Sequence, residues 1–307
     1  MSGGGRGARL ACTLFAALAA LVLNQSAFAQ QDLVQRGRYL LRAAGCITCH
    51  TDSEHDGAFL AGGRRFETPF GTFYSPNITP DKLHGIGAWT GAQFVTALRH
   101  GIGPGWKYYY PVFPYPAFAA MRPEDMRALW AYLRTVPPSA TPSRNHELPW
   151  YMRWRIVNWG WQLLFFHTTT FRADPTRSAL WNRGAYLVRA LAHCGECHTP
   201  RTSFGSLDWD MAFAGTRNGP ENNAVPNITP DPETGIGSWS RADLLEYLSS
   251  GMRPDADFAG GMMADVIDDD LSHLRHDDLE AIVTYLLALK PIHNPISRPS
   301  RTTEDDF

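Results

Sequence analysis

Cys46-Ile47-Thr48-Cys49-His50 is answered about 150 residues further on by Cys194-Gly195-Glu196-Cys197-His198. Working outward from this pair, the same order of short sequences surrounds both. Arg36-Gly37-Arg38-Tyr39-Leu40 precedes the first and Arg183-Gly184-Ala185-Tyr186-Leu187 precedes the second. Pro76-Asn77-Ile78-Thr79-Pro80-Asp81 follows the first and Pro226-Asn227-Ile228-Thr229-Pro230-Asp231 the second; each continues into Gly-Ile-Gly-x-Trp, ending at Trp89 and Trp239. Ala131-Tyr132-Leu133 returns as Thr284-Tyr285-Leu286. Self-similarity at so long a period means a duplicated domain, not a solenoid of small units. The expected boundaries are 30–140 and 176–292, with a linker at 141–175 and a polar tail at 293–307.

Inside each unit the pattern is helical. Thr90-x-x-Gln93 and Ser240-x-x-Asp243 are capping-box starts, Phe94 with Leu98 and Leu244 with Leu248 give apolar faces, and Gly101 and Gly251 stop the helices. A closing helix is expected from Pro123 or near Asp277, with acids in its first turn facing the dipole, running until Pro137 or Pro291. A leading helix belongs around Gly37 and Gly184. The predicted class is therefore all-α, with long Gly- and Pro-rich loops that need something besides side chains to organise them.

C-x-x-C-H is the attachment pattern of c-type haem: two thiols each add to one porphyrin vinyl group, and the adjoining histidine lies beneath the iron. Cys46, Cys49 and His50 would hold one haem c, and Cys194, Cys197 and His198 a second. Two C-x-x-C pairs could instead form a four-cysteine zinc site or two redox dithiols. The histidine directly after the second cysteine in both repeats favours haem.

Composition agrees with a packed exported protein. Of 307 residues 44% are apolar, which is enough for two cores, and ten are Trp. The formal charge is −2, with 28 basic and 30 acidic side chains, so no basic stripe exists to hold nucleic acid. Residues 1–29 carry Arg6 and Arg9, a mainly apolar run from Leu10 to Leu23 and Ser26-Ala27-Phe28-Ala29, and read as a secretory signal peptide. An uncleaved anchor is the competing reading, but the run falls short of the roughly 20 residues a spanning helix needs. The linker is largely apolar from Leu148 to Phe166, with four Trp. It is expected to form an interdomain helix buried against both units, in preference to a membrane or partner-docking segment.

The repeats resemble class I cytochrome c domains. The short sequences around them resemble the cytochrome c subunits of bacterial membrane-associated dehydrogenases of the alcohol and gluconate type, and their shorter two-haem relatives. Those sequences are Gly-x-Tyr-Leu, Pro-Asn-Ile-Thr-Pro-Asp, Gly-Ile-Gly-x-Trp, Phe113-Pro114-Tyr115-Pro116 and Phe258-Ala259-Gly260-Gly261-Met262-Met263. The best-known such subunits have three haem motifs and a hydrophobic attachment near the carboxyl terminus, whereas this chain has two motifs and ends in polar residues 297–307. The resemblance thus implies a periplasmic protein, soluble or peripheral to the inner membrane.

By the same resemblance Met263 aligns with the sixth iron ligand of the second haem, with Met262 as competitor. A thioether favours ferrous iron and raises the potential. In the first repeat Phe113 stands where relatives have the ligand Met, and a phenyl ring cannot bind iron. Met121 is the nearest free thioether; His84 and His100 are the bis-histidine alternative. Asn77 and Asn227 match a glycosylation sequon, yet in this repeated turn Asn and Thr are expected to bond backbone near the haem. Trp89 and Trp239 suit either a haem propionate or plain apolar contact. Asp268-Asp269-Asp270 reads as a solvated loop before it reads as metal ligation.

The leading functional reading is an electron carrier, not an enzyme by itself, with redox proteins as partners: a dehydrogenase donor and a cytochrome or oxidase acceptor. The alternative is a two-haem peroxidase or other haem oxidoreductase with an open site at the first haem, motivated by Phe113.

Overall fold

The computed structural model describes residues 29–296. The leader reading, but for residue 29, and residues 297–307 of the polar tail lie outside them. Helix α1, residues 29–43, ends at Gly45, whose left-handed backbone (φ 63°) turns the chain into the one-turn helix α2, Cys46–His50. Glycine adopts that conformation without a Cβ clash. The following loop forms an antiparallel pair, β1 Arg65–Thr68 with β2 Gly71–Tyr74, in register Phe66 to Phe73. Helix α3, Gly91–His100, starts at the expected Thr90/Gln93 capping box and stops at Gly101, φ 63°. A second short pair, β3 Ile102–Gly103 with β4 Lys107–Tyr108, leads to α4, Tyr115–Phe118, and α5, Pro123–Leu133.

After the linker helix α6, Arg155–Phe165, the same order returns. Helix α7, Ala179–Tyr186, runs on through a π turn at Leu187–Leu191, and α8, Gly195–His198, carries the second motif. Helix α9, Arg241–Ser250, has its Ser240/Asp243 capping box and stops at Gly251, φ 80°. Helices α10, Met262–Asp269, and α11, His276–Leu286, complete the order. The protein is largely helical as expected; the two hairpins in the first half are the departure, and both sit in loops between helices.

Each leading helix crosses its closing helix at a glycine. A Cβ on Gly37 would lie 1.9 Å from the Ala128 carbonyl oxygen, and one on Gly184 would lie 1.9 Å from that of Ala281. The adjacent arginine of each repeated Arg-Gly pair clamps the crossing: Arg36 to Asp125 at 2.6 Å, and Arg183 to Asp278 at 2.7 Å. The tyrosine two residues later reaches the other half. Tyr186 donates to Asp125 at 2.5 Å, and Tyr39 donates to Asp278.

Composition allows two cores, but most buried apolar side chains of both halves form one, with only Phe73, Tyr110 and Leu148 in a small separate cluster among the described residues. Leu41, Met121, Met126 and Leu129 of the first half share a continuous apolar cluster with Leu187, Leu191, Ile267 and Ile282 of the second. Fully burying each such side chain contributes about 1.5–3 kcal/mol.

The linker reverses its expected packing. The buried residues of α6 are Asn158 and Gln162, while Ile156, Leu163 and Leu164 are exposed. Asn158 donates to the Tyr108 carbonyl at 3.2 Å and Gln162 to that of Gly101 at 3.3 Å. The helix is thus held by its polar side, because Asn158 and Gln162 add second hydrogen bonds to carbonyls that already accept one, Tyr108 O from Arg155 and Gly101 O from the Tyr109 N–H.

Candidate functional site

Helix α2, and helix α8 with its N-cap Cys194, each place two cysteines and a histidine within little more than one turn. The four thiols are half-buried and none is in a disulfide. Burial pushes their pKa values up, with Cys49 and Cys194 at about 12 and Cys197 at about 11; Cys46 is also raised. Reactive dithiols have the opposite shift, toward thiolate at neutral pH. Nor do the four sulfurs converge as a zinc site requires. Among the described residues the one group placed to hold a metal ion is Asp52, Glu54 and His55, on the turn just after α2, and it includes no cysteine.

The histidines are oriented by the repeated proline turn. His50 Nδ1 lies 2.8 Å from the Pro76 carbonyl oxygen, and His198 Nδ1 lies 2.8 Å from that of Pro226. A carbonyl can only accept, so Nδ1 carries the hydrogen and Nε2 keeps its lone pair. Burial lowers both histidine pKa values, which favours the neutral ring. A neutral imidazole with Nδ1 tied to a carbonyl and Nε2 free is the arrangement an iron ligand needs.

That turn is itself pinned. Asn77 Oδ1 accepts from Thr79 N and Oγ1 at 2.9 and 2.7 Å, while its Nδ2 donates to the Ser139 and Thr141 carbonyls. Asn227 repeats this with Thr229 and the Ile292 carbonyl. Each asparagine is 2% exposed, so the expected bonding to backbone holds and the sequon is out of reach of a glycan. Asn77 thereby fastens the start of the linker, and Asn227 the segment after α11, onto the loop behind a motif histidine. Gly85 and Gly235 let the chain fold back, since a Cβ on either would lie 2.2 Å from a threonine carbonyl of the turn.

Groups that the motif reading left out complete the first site. Asp270 is 1% exposed, not part of a solvated loop, and its Oδ2 accepts from Thr48 Oγ1 at 2.6 Å and from Thr48 N at 3.4 Å. Burial raises its carboxyl to about 7, against the opposing pull of the Thr48 hydrogen bonds. Arg64, 3% exposed, donates to the Thr48 carbonyl and pairs with Asp265 at 2.5 Å. Helix α10 of the second half therefore holds the attachment turn of the first. His193 stands in the position of Gly45 and takes the same left-handed backbone, φ 40°; its ring centre lies 5.3 Å from that of Phe118. No sequence signal marks these contacts, because each joins residues far apart in the chain.

The structure places the sixth-ligand candidates differently. Met263 is half-buried in the first turn of α10 and packs on the common core. Met121 is fully buried, and its carbonyl accepts from Arg99 at 2.7 Å. Phe113 sits in an aromatic group with Tyr109 and Phe118, at 5.7 and 5.8 Å between ring centres. His100 is exposed at the end of α3, with Thr168 Oγ1 3.4 Å from its Nδ1. Trp89 and Trp239 are half-buried against the core, Trp239 edge-on to Tyr247.

The donor set thus fits covalently attached haem at both turns. The sequence model of the cytochrome c family matches residues 34–137. A dihaem c-type cytochrome of Cereibacter sphaeroides is 41% identical over 289 residues, covering 91% of this chain and 96% of that protein. The fructose dehydrogenase cytochrome subunit of Gluconobacter japonicus is 44% identical, covering 85% of this chain and 53% of the subunit. The cytochrome c subunit of the quinone alcohol dehydrogenase of Gluconacetobacter polyoxogenes is 38% identical, covering 91% and 60%. The chain therefore spans somewhat over half the length of these two dehydrogenase subunits.

Proposed function

The chain belongs to the cytochrome c family, and from this we propose that it is a periplasmic carrier with two covalently bound haem c groups. It takes single electrons from a dehydrogenase and relays them to another cytochrome or a terminal oxidase of the respiratory chain. The observation that carries the reading is the pair of C-x-x-C-H turns, each with its histidine Nδ1 bonded to a proline carbonyl. Residues 30–140 and 176–292 are the two haem domains, each with a class I cytochrome c-like fold. Bound haem supplies a one-electron iron couple. Cys46 and Cys49, and Cys194 and Cys197, tether it; His50 and His198 present Nε2; Met263 and Met121 are the proposed sixth ligands. A six-coordinate site has no open position for substrate, so such a protein moves charge without making bonds.

The relatives named for fructose and alcohol dehydrogenases support a dehydrogenase as donor. Intact mass and pyridine haemochrome content test the reading: two haems per chain are expected, falling to one in the Cys194→Ala/Cys197→Ala variant. Rapid reduction of both haems by a sugar or alcohol dehydrogenase should follow. A chain exported with bare thiols would end the proposal.

Phe113 in place of a ligand methionine favours a second reading, a peroxidase-type site at the first haem. A high-spin ferric band that shifts on adding cyanide, together with peroxide turnover, would select it over the carrier.

A further inference from the structure

We propose that the linker is a membrane-surface anchor: its outward apolar face beds into the headgroup region of an anionic phospholipid bilayer. Surface helices turn their apolar side inward, but α6 does the reverse. Its polar Asn158 and Gln162 are buried, at 3% and 8% exposure, whereas Ile156, Leu163 and Leu164 are 61–70% exposed. The preceding turn extends the face with Trp150, Tyr151 and Trp154, exposed by 53–69% and packed edge-on to one another through Trp150. Across the chain Phe204, 69% exposed, stacks on Phe165, and its carbonyl accepts from Trp161 Nε1. The second half of the protein therefore contributes to the same surface.

Charge chooses the occupant. From Arg144 to Arg172 the chain carries four arginines and one acid, Glu147, although the whole protein is at −2. Glu147 is already bonded to the Tyr74 hydroxyl. Arg144, Arg153 and Arg172 are exposed; Arg144 stacks over Tyr74 and Arg153 donates to the Leu148 carbonyl, partners that leave their charge uncompensated, whereas Arg155 is half-buried and turned inward onto the Tyr108 carbonyl. Arginines beside tryptophan, tyrosine and leucine, with no acid on α6, match the polar and apolar layers of an anionic bilayer surface. At about 1.5 Å per residue, an eleven-residue helix cannot cross a hydrocarbon layer of about 30 Å. No described helix is long and apolar enough to cross a membrane. The segment lies along the surface.

The test uses haem-loaded protein and unilamellar vesicles of equal parts phosphatidylglycerol and phosphatidylcholine, with pure phosphatidylcholine for comparison. Flotation should carry the protein with the anionic vesicles, less so at high salt, and brominated lipid should quench tryptophan emission. The Ile156→Ser/Leu163→Ser/Leu164→Ser variant should bind at least tenfold more weakly with its haem spectrum unchanged, whereas Leu83→Ser, at another exposed site, should bind as wild type. Wild type that stays off anionic vesicles overturns the proposal, as does binding indifferent to the triple change. So would self-association through this face, seen by sedimentation and abolished by the same variant, in place of lipid binding.

Discussion

Tyr186 donates a 2.5 Å hydrogen bond across the two halves to Asp125, and the hydroxyl that donates also accepts from the Arg122 backbone N–H at the start of α5. Tyr39 makes the mirror arrangement with Asp278 and the Arg275 N–H. Each aspartate is already held by an arginine of its own half. A buried carboxylate is costly unless paired and fully hydrogen-bonded, so each half completes the polar accounting of the other. The two halves are fastened at the starts of their closing helices, and the leading helices before the attachment turns are fastened with them.

Tyr39→Phe and Tyr186→Phe should each lower stability by about 2 kcal/mol, because each removes a hydrogen bond to a charged group. Denaturant unfolding of the haem-loaded protein checks this. Little or no change in either variant would mean that the arginine alone satisfies the carboxylate.

Gly37→Ala and Gly184→Ala should be harsher than a usual glycine replacement in a helix. The added Cβ would meet a carbonyl oxygen at 1.9 Å, where only backbone displacement makes room. A loss of at least 1–3 kcal/mol is expected from overpacking, read as a lower melting temperature and a lower yield of haem-loaded protein. The same change at Gly160, where nothing lies within 4 Å, should leave stability intact or raise it.

Two buried aspartates give opposite pH dependences. Burial alone would raise Asp278, but its bonds to Arg183 and Tyr39 bring it down to about 2, below its ordinary 3.8. Its stabilisation of about 2 kcal/mol is present above pH 4 and lost as pH falls toward 2. Asp270 is raised to about 7 by burial, so the folded state keeps a proton that the unfolded chain releases near pH 4. Stability from this group declines as pH rises from 4 to 7, by at most about 4 kcal/mol. Asp270→Asn should flatten that decline and Asp278→Asn the acid limb, both read from denaturation midpoints across pH; unchanged slopes would refute the assignments.

Met263→Leu should abolish the methionine-to-iron charge-transfer band of the second haem, and Met263→His should lower its potential by roughly a tenth of a volt or more, within the ~0.8 V range that axial ligands span. Met262→Leu should do neither. If the Met262 change alone removes the band, the ligand is the neighbouring thioether. Met121→Leu makes the same test of the first haem.

Helix starts and stops were legible because they are local: Thr90 with Gln93, Ser240 with Asp243, and Gly101 and Gly251 act within a few residues. The repeated proline turn was visible too, but not the use of Pro76 and Pro226, whose carbonyls serve histidines 26 and 28 residues away. Asp270 looked like a solvated acid because its partner, Thr48, is 222 residues distant. For α6, spacing set Asn158 and Gln162 on one side and Ile156 and Leu163 on another, but periodicity cannot say which side faces inward.

What the residues alone determined was the duplicated, largely helical plan and the two thiol-and-imidazole turns, since attachment chemistry, caps and glycine stops need only neighbours along the chain. The sharing of one main core by both halves, the exchange of tyrosines between them, the burial of Asp270 and the outward apolar face of α6 were decided by tertiary structure. Each depends on which surfaces meet, and burial and charge pairing take their sign from that meeting.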